Sequence, residues 1–260
     1  MLDYLYQASD VTLFFIICSF FMLISLVALF LIKWYFPLHL RYQDNTVIGC
    51  ASALIGLIYG VLAGFATAHL ISSSNFAIDA LQREANAIVD LYRDSRWLTQ
   101  PEQAHIQAQV KEYLAEVINV EWPLMNHGER IPHQGSFIID GMSAELSHYK
   151  IKNNSDSAVL SDMMSVIRNL YDARQQRILA SYTSLSGSIW VVIMLGTILT
   201  LCISYLFGVN FYLHIFTVMA SALMMSSIIF LLISLDKPFL GSYAVGPEVY
   251  HSLATIIDSR

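Results

Sequence analysis

"VIGCASALIGLIYGVLAGFATAHL", residues 47–70, contains no Lys, Arg, Asp or Glu. It is long enough to cross a bilayer, which takes about 20 residues of helix. Within it, Gly56, Gly60 and Gly64 recur every four residues, and Gly49 and Ala53 continue the same helix edge upstream. Glycine weakens a helix by about 1 kcal/mol relative to alanine, so three in a row need a reason. In lipid the reason is packing, because small residues at this spacing let backbones approach closely. The ridge either packs against another span of the same chain or against symmetry mates around a central axis. Tyr59, with Ile55 and Leu62, lies toward the opposite face, available to partners or to a narrow apolar constriction.

Three more runs have the same character: Val11–Ile32, Ser188–Phe207 and Phe211–Leu235. Only 13% of the 260 residues are charged, about half the share in soluble domains. None of the runs alternates apolar and polar residues as barrel strands do. The chain therefore reads as an all-α membrane protein with four transmembrane helices. The first run does not read as a cleavable signal peptide, because its leader holds Asp3 and Asp10 and no basic residue.

The spacing predicts transmembrane helices one and two in residues 1–70 and a helical extramembrane domain, 71–187, inserted between helices two and three. A hairpin of helices three and four occupies 188–235, turning at Gly208-Val209-Asn210, and a tail, 236–260, docks on the domain. Both termini and the domain then share one side of the membrane. Arg83, Arg174, Arg177 and Lys237 flank that side against Lys33 and Arg41 on the other. That balance places the domain in the cytoplasm and the spans in the inner membrane. Within the domain, one helix over Phe76–Trp97 continues span two. A second starts at Pro101 and stops at Trp122 before Pro123. A third runs from Asp156 into span three, and 126–157 is loop with one short element.

Each helix has an apolar stripe at 100° per residue. The stripes are Ala77, Leu81, Ile88 and Leu91; Ile106, Val110, Leu114 and Val117; and Leu160, Met164, Ile167, Tyr171 and Ile178. Each stripe also carries one ionisable residue, respectively Glu84, Glu121 and Arg174. An unpaired buried charge costs several kcal/mol. Arg174 is therefore expected to bridge to Glu84 or Glu121 as a structural ion-pair network. Alternatively, Glu84 lines a solvated axis below span two, with Asn86 and Asp90 as companion selectivity candidates, or serves a proton relay.

The net charge of −6 argues against nucleic acid and against a basic patch for anionic lipid. Cys18, Cys50 and Cys202 show neither disulfide nor metal-ligand spacing. His127 and His133 are six apart, a poor metal signal, and His69 and His214 read as interfacial residues with snorkelling tips. No metal and no cofactor is expected. With no Ser-His-Asp arrangement, phosphate loop or metalloprotease pattern, neither is an enzyme. In "SLDKPFLGSYAVGPEVY", residues 234–250, Asp236 sits at a helix C-terminus, where the dipole disfavours it. It serves either as a turn former or as a carboxylate collecting a cation or a neighbour's arginine. Pro238 ends the helix, Phe239 follows, and Gly241 allows a turn. Pro247 starts a short helix with Val249, Leu253 and Ile257 inward.

"YGVLAGF", "REANAIVDLYR", "EYLAEVINVEWPLM", "LYDARQQRI" and "LDKPFLGSYAVGPEVY" together resemble the bacterial bestrophin-like integral membrane proteins. The resemblance covers about residues 40–250, with the motifs in order. It implies a homo-oligomer, a pentamer by analogy with the bestrophins, whose second span lines a pore and feeds a helical cytosolic domain. It also implies a bilayer setting and inorganic ions as the permeating partners. The acidic calcium clasp of animal bestrophins has no counterpart in Asp236, Glu248 and Asp258, which lie far apart, and span two is rich in glycine where the bestrophin neck is bulky. The expected function is passive ion permeation, biased toward cations by Glu84. A non-conducting scaffold that recruits a cytoplasmic partner is the alternative, with a secondary transporter third.

Overall fold

The computed structural model describes residues 10–35, 45–151, 154–240 and 246–259. Among them every regular element is helical. They are α1 (Asp10–Tyr35), α2 (Asn45–Asp94), α3 (Glu102–Glu116), α4 (Trp122–Asn126), α5 (Gln134–Ser147), α6 (Asn154–Ser181), α7 (Gly187–Leu206), α8 (Phe211–Leu235) and α9 (Glu248–Asp258). Four of them, α1, α2, α7 and α8, are long and apolar enough to cross a membrane. The all-α class with four spans is therefore the observed architecture.

The chain divides into two compact units. The first holds residues 1–72 and 184–236. Here α1 packs along α8, where Phe14 meets Phe230 edge-on at 5.2 Å. Leu29, Tyr59, Ala63, Leu70, Ile193, Val218 and Leu232 form its core. Polar side chains on α7 turn back to their own helix: the Thr197, Thr200 and Ser204 hydroxyls donate to the Ile193, Gly196 and Thr200 carbonyls. Lipid offers such groups no water, so they must be satisfied internally. At the α7–α8 turn, the Asn45 amide both donates to the Gly208 carbonyl and accepts its N–H, each at 2.8 Å.

The second unit holds residues 73–183 and 237–260. Its core joins the domain part of α2 to α3, α4, α5, α6 and α9 through Leu81, Ile88, Ile106, Tyr113, Met142, Leu170 and Tyr250. The tail belongs to this core. Trp122 meets Phe239 at 5.5 Å and Tyr250 at 5.8 Å, both edge-on, and Lys111 pairs with Asp258 at 2.8 Å.

Several local expectations give way. Pro123 does not stop the second domain helix. Residues Val117–Glu121 form a π turn closed by the Trp122 N–H on the Val117 carbonyl, and helix resumes as α4. The wider turn absorbs the missing proline donor and turns both Glu121 and Trp122 inward. The segment 126–157 contains not a short element but the 14-residue α5. Ile138, Ile139, Met142 and Leu146 give it a buried face that its two glycines obscure. The third domain helix ends at Ser181, and span three begins anew at Gly187. Its buried face is Met163, Ile167, Leu170, Arg174 and Arg177, while Tyr171 is exposed. In α9, Tyr250 rather than Val249 points inward, because the helix buries positions 250 and 257, two turns apart.

Candidate functional site

Span two presents two unlike faces. On one, Tyr59 is buried, its hydroxyl 3.1 Å from Thr197 Oγ1, and its ring fills the space beside Gly196. A β-carbon at Gly196 would lie 2.5 Å from that ring. Tyr59 is thus an anchor between α2 and α7, not part of an open face. On the other edge, a β-carbon added at Gly49, Gly56, Gly60 or Gly64 would meet nothing within 4 Å, and Ala53 is exposed. Among the described residues the ridge therefore meets no packing partner. Its helix continues unbroken for 50 residues, about 75 Å at 1.5 Å per residue.

In the second unit the ionisable residues of three stripes meet. Glu84 comes from α2, Glu121 from the π turn and Arg174 from α6, and all are buried. Arg174 reaches Glu121 Oε1 through Nε at 3.0 Å and Nη2 at 2.6 Å. It also donates to Ser136 Oγ at 2.7 Å and to the Pro132 carbonyl at 3.2 Å. Glu84 does not pair with Arg174. Its partner is Arg177, fully buried, which donates through Nε to Oε2 at 2.6 Å and through Nη2 to Oε1 at 3.0 Å. Arg177 also pairs with Glu121, which it thereby shares with Arg174. Tyr113 donates to Glu84 at 2.6 Å.

Two arginines and two glutamates make the cluster neutral, and nearly every strong donor direction is used. Burial, then the Glu84 charge, pushes the Tyr113 phenol well above its ordinary range. The same two causes act on Tyr250, whose ring centre lies 5.9 Å from the Arg177 guanidinium. Burial pulls Arg177 down, but Glu84, Tyr250 and Glu121 outweigh it, and its pKa rises well above the arginine norm. Glu116, one turn before the cluster, is pushed up by burial and then by the Glu121 charge.

Glu84 is thus separated from its proposed companions. Asn86 and Asp90 face outward into a groove between α2 and α6, whereas Glu84 is sealed beneath. Arg177 is the member that the sequence reading missed. It stands three residues after Arg174, one turn along the same face, a spacing that carries the signal. Since Arg174 and Arg177 are both buried, neither is a solvent-facing flanking charge.

Asp236 accepts the Leu185 N–H at 2.7 Å, which gives the carboxylate at this helix end a backbone donor. Pro238 and Phe239 are buried, and Gly241 lies outside the described residues. His214 is not an interfacial tip: it is buried, with Nε2 3.1 Å from the Ser204 carbonyl. His69, His127 and His133 are exposed. Among the described residues no group of His, Cys, Asp or Glu could hold a metal.

A profile of the bestrophin-like domain matches residues 19–250. The fold is similar to that of a bacterial bestrophin homologue from Klebsiella pneumoniae solved by Zn-SAD phasing, at 15% identity and TM-score 0.68, covering 94% of this chain and 95% of that one. A single-site variant of a Klebsiella pneumoniae bestrophin homologue matches at 15% identity and TM-score 0.69, over 95% and 98% of the two chains. A structure described as a membrane protein with one substitution matches at 14% identity and TM-score 0.68, over 95% and 96%. At these identities the likeness is one of fold. No curated protein matches the chain.

Proposed function

Because the chain belongs to the bestrophin-like family, we propose that it forms a homo-oligomeric ion channel with span two beside the central axis. The observation that carries this reading is the open ridge of Gly49, Ala53, Gly56, Gly60 and Gly64. In lipid, an edge of small residues that none of the described residues covers is suited to a close approach by another helix. The apolar side chains that flank it, including Leu57 and Val61, supply a narrow lining, and permeation along them is passive. The domain lies in the cytoplasm and the spans in the inner membrane. Asn86 and Asp90 are the selectivity candidates that face solvent, and their single carboxylate favours cations. Glu84 holds the domain together through Arg177.

The test is ion flux from liposomes holding the purified protein, with separate anion and cation gradients and Gly60→Leu in parallel. A defined reversal potential, lost in Gly60→Leu, supports the channel. Absence of flux for every ion, from a folded oligomer, transfers the assignment to a scaffold.

A further inference from the structure

In the membrane unit the buried residues of α2 are Tyr59, Ala63, Ala66 and Leu70. At about 100° per residue they share one narrow face, and the ridge of Gly56, Gly60 and Gly64 follows about a quarter turn away. Two polar ties hold that face to α7 and the turn after it. Asn45 bonds both backbone groups of Gly208 at 2.8 Å. Farther along the same side, Tyr59 reaches Thr197 at 3.1 Å. The Thr197 hydroxyl hydrogen goes to the Ile193 carbonyl at 3.0 Å, so the Tyr59 phenol is the donor of the bond between them. Its ring lies in the space left by Gly196. The rest of the face is two alanines and a leucine, which fit α7 over a range of rotations about the α2 axis. Tyr59 does not. Turning α2 by one residue step withdraws its O–H from Thr197, where no water replaces the lost acceptor. The same turn empties the space beside Gly196 and forfeits its contacts.

We propose that Tyr59, seated on Gly196 and bonded to Thr197, is the rotational key of span two. It fixes which edge of the helix lies against α7 and so which edge, the glycine ridge, stays open. Tyr59 is thereby a positioning residue for permeation. That role rests on the channel reading; the key itself does not.

The experiment is maleimide labelling of Ala63→Cys in the full-length protein in detergent, resolved peptide by peptide. The native cysteines are internal references: Cys50 and Cys202 are exposed, and Cys18 is buried on α1 against Ser226. With Tyr59 and Thr197 in place, the introduced thiol labels slowly, as Cys18 does. Tyr59→Phe and Thr197→Val each speed it at least threefold while Cys18 stays protected. Thr197→Ser, which keeps the hydroxyl, leaves labelling slow. No acceleration in either variant overturns the key, and so does equal exposure of Cys18, the mark of general loosening. In liposomes the same two variants shift the ratio of anion to cation permeability at least twofold. Unchanged permeability beside accelerated labelling overturns the positioning role. Absence of flux from the unsubstituted protein overturns the channel reading instead, and labelling still decides the key.

Discussion

Gly135 on α5 stands where a β-carbon would lie 2.5 Å from Glu121 Oε1 and 2.8 Å from Arg174 Nε. The close approach of α5 to the ion pair, including the Ser136 hydroxyl on Arg174, depends on this missing side chain.

Gly135→Ala should therefore destabilise the protein, although alanine in an exposed helix interior gains about 1 kcal/mol over glycine. The neighbours are a buried guanidinium and carboxylate already fixed by several bonds and cannot give way cheaply. A loss of about 1–3 kcal/mol is expected, the range of core overpacking. Thermal melting in detergent checks it, and a rise in melting temperature would contradict it.

Arg177→Met should cost more than Arg174→Met. Removing Arg177 strips Glu84 of its arginine partner, and breaking a buried pair this way costs about 3–5 kcal/mol. Arg174→Met leaves Glu121 still paired with Arg177. Arg177→Lys should not restore stability, since an ammonium cannot reproduce the fork that grips Glu84 through two nitrogens. Denaturation of the three variants side by side gives the order.

Stability should fall at alkaline pH through Tyr113 and Tyr250. Both have folded-state values raised above the ordinary phenol value near 10. The contribution is fully present below the unfolded value and declines as pH rises past about 10. Tyr113→Phe should flatten this alkaline limb, while costing about 1.5–3 kcal/mol at neutral pH through the lost bond to Glu84. Melting temperatures across pH 8–11 measure both.

Gly60→Leu and Gly196→Leu should part company. The Gly196 site is occupied by the Tyr59 ring, so Gly196→Leu disrupts the fold of the membrane unit itself. Gly60 faces open space among the described residues, so Gly60→Leu keeps the monomer fold and loses oligomers, as read by crosslinking against melting. Equal damage to the monomer fold from both would place the ridge inside a subunit.

The stretches free of charge over 20 or more residues already determined four membrane spans, because the cost of burying charge in lipid leaves no other reading. The stripes carrying Glu84 and Arg174 were equally legible, since helical period aligns them, whereas Glu121 owes its inward position to the π turn. Tertiary structure decided how the charges pair. Arg177 lies on the same face as Arg174, and only the approach of α2 and the π turn assigns Glu84 to one and gives both a share of Glu121. It also decided that Tyr59 faces inward while the glycine ridge stays open. Both edges of span two are suited to packing, and the choice between them rests on where Gly196 and Thr197 stand on another helix. Periodicity records which residues share a face; the partner of that face is set by elements far away in the chain.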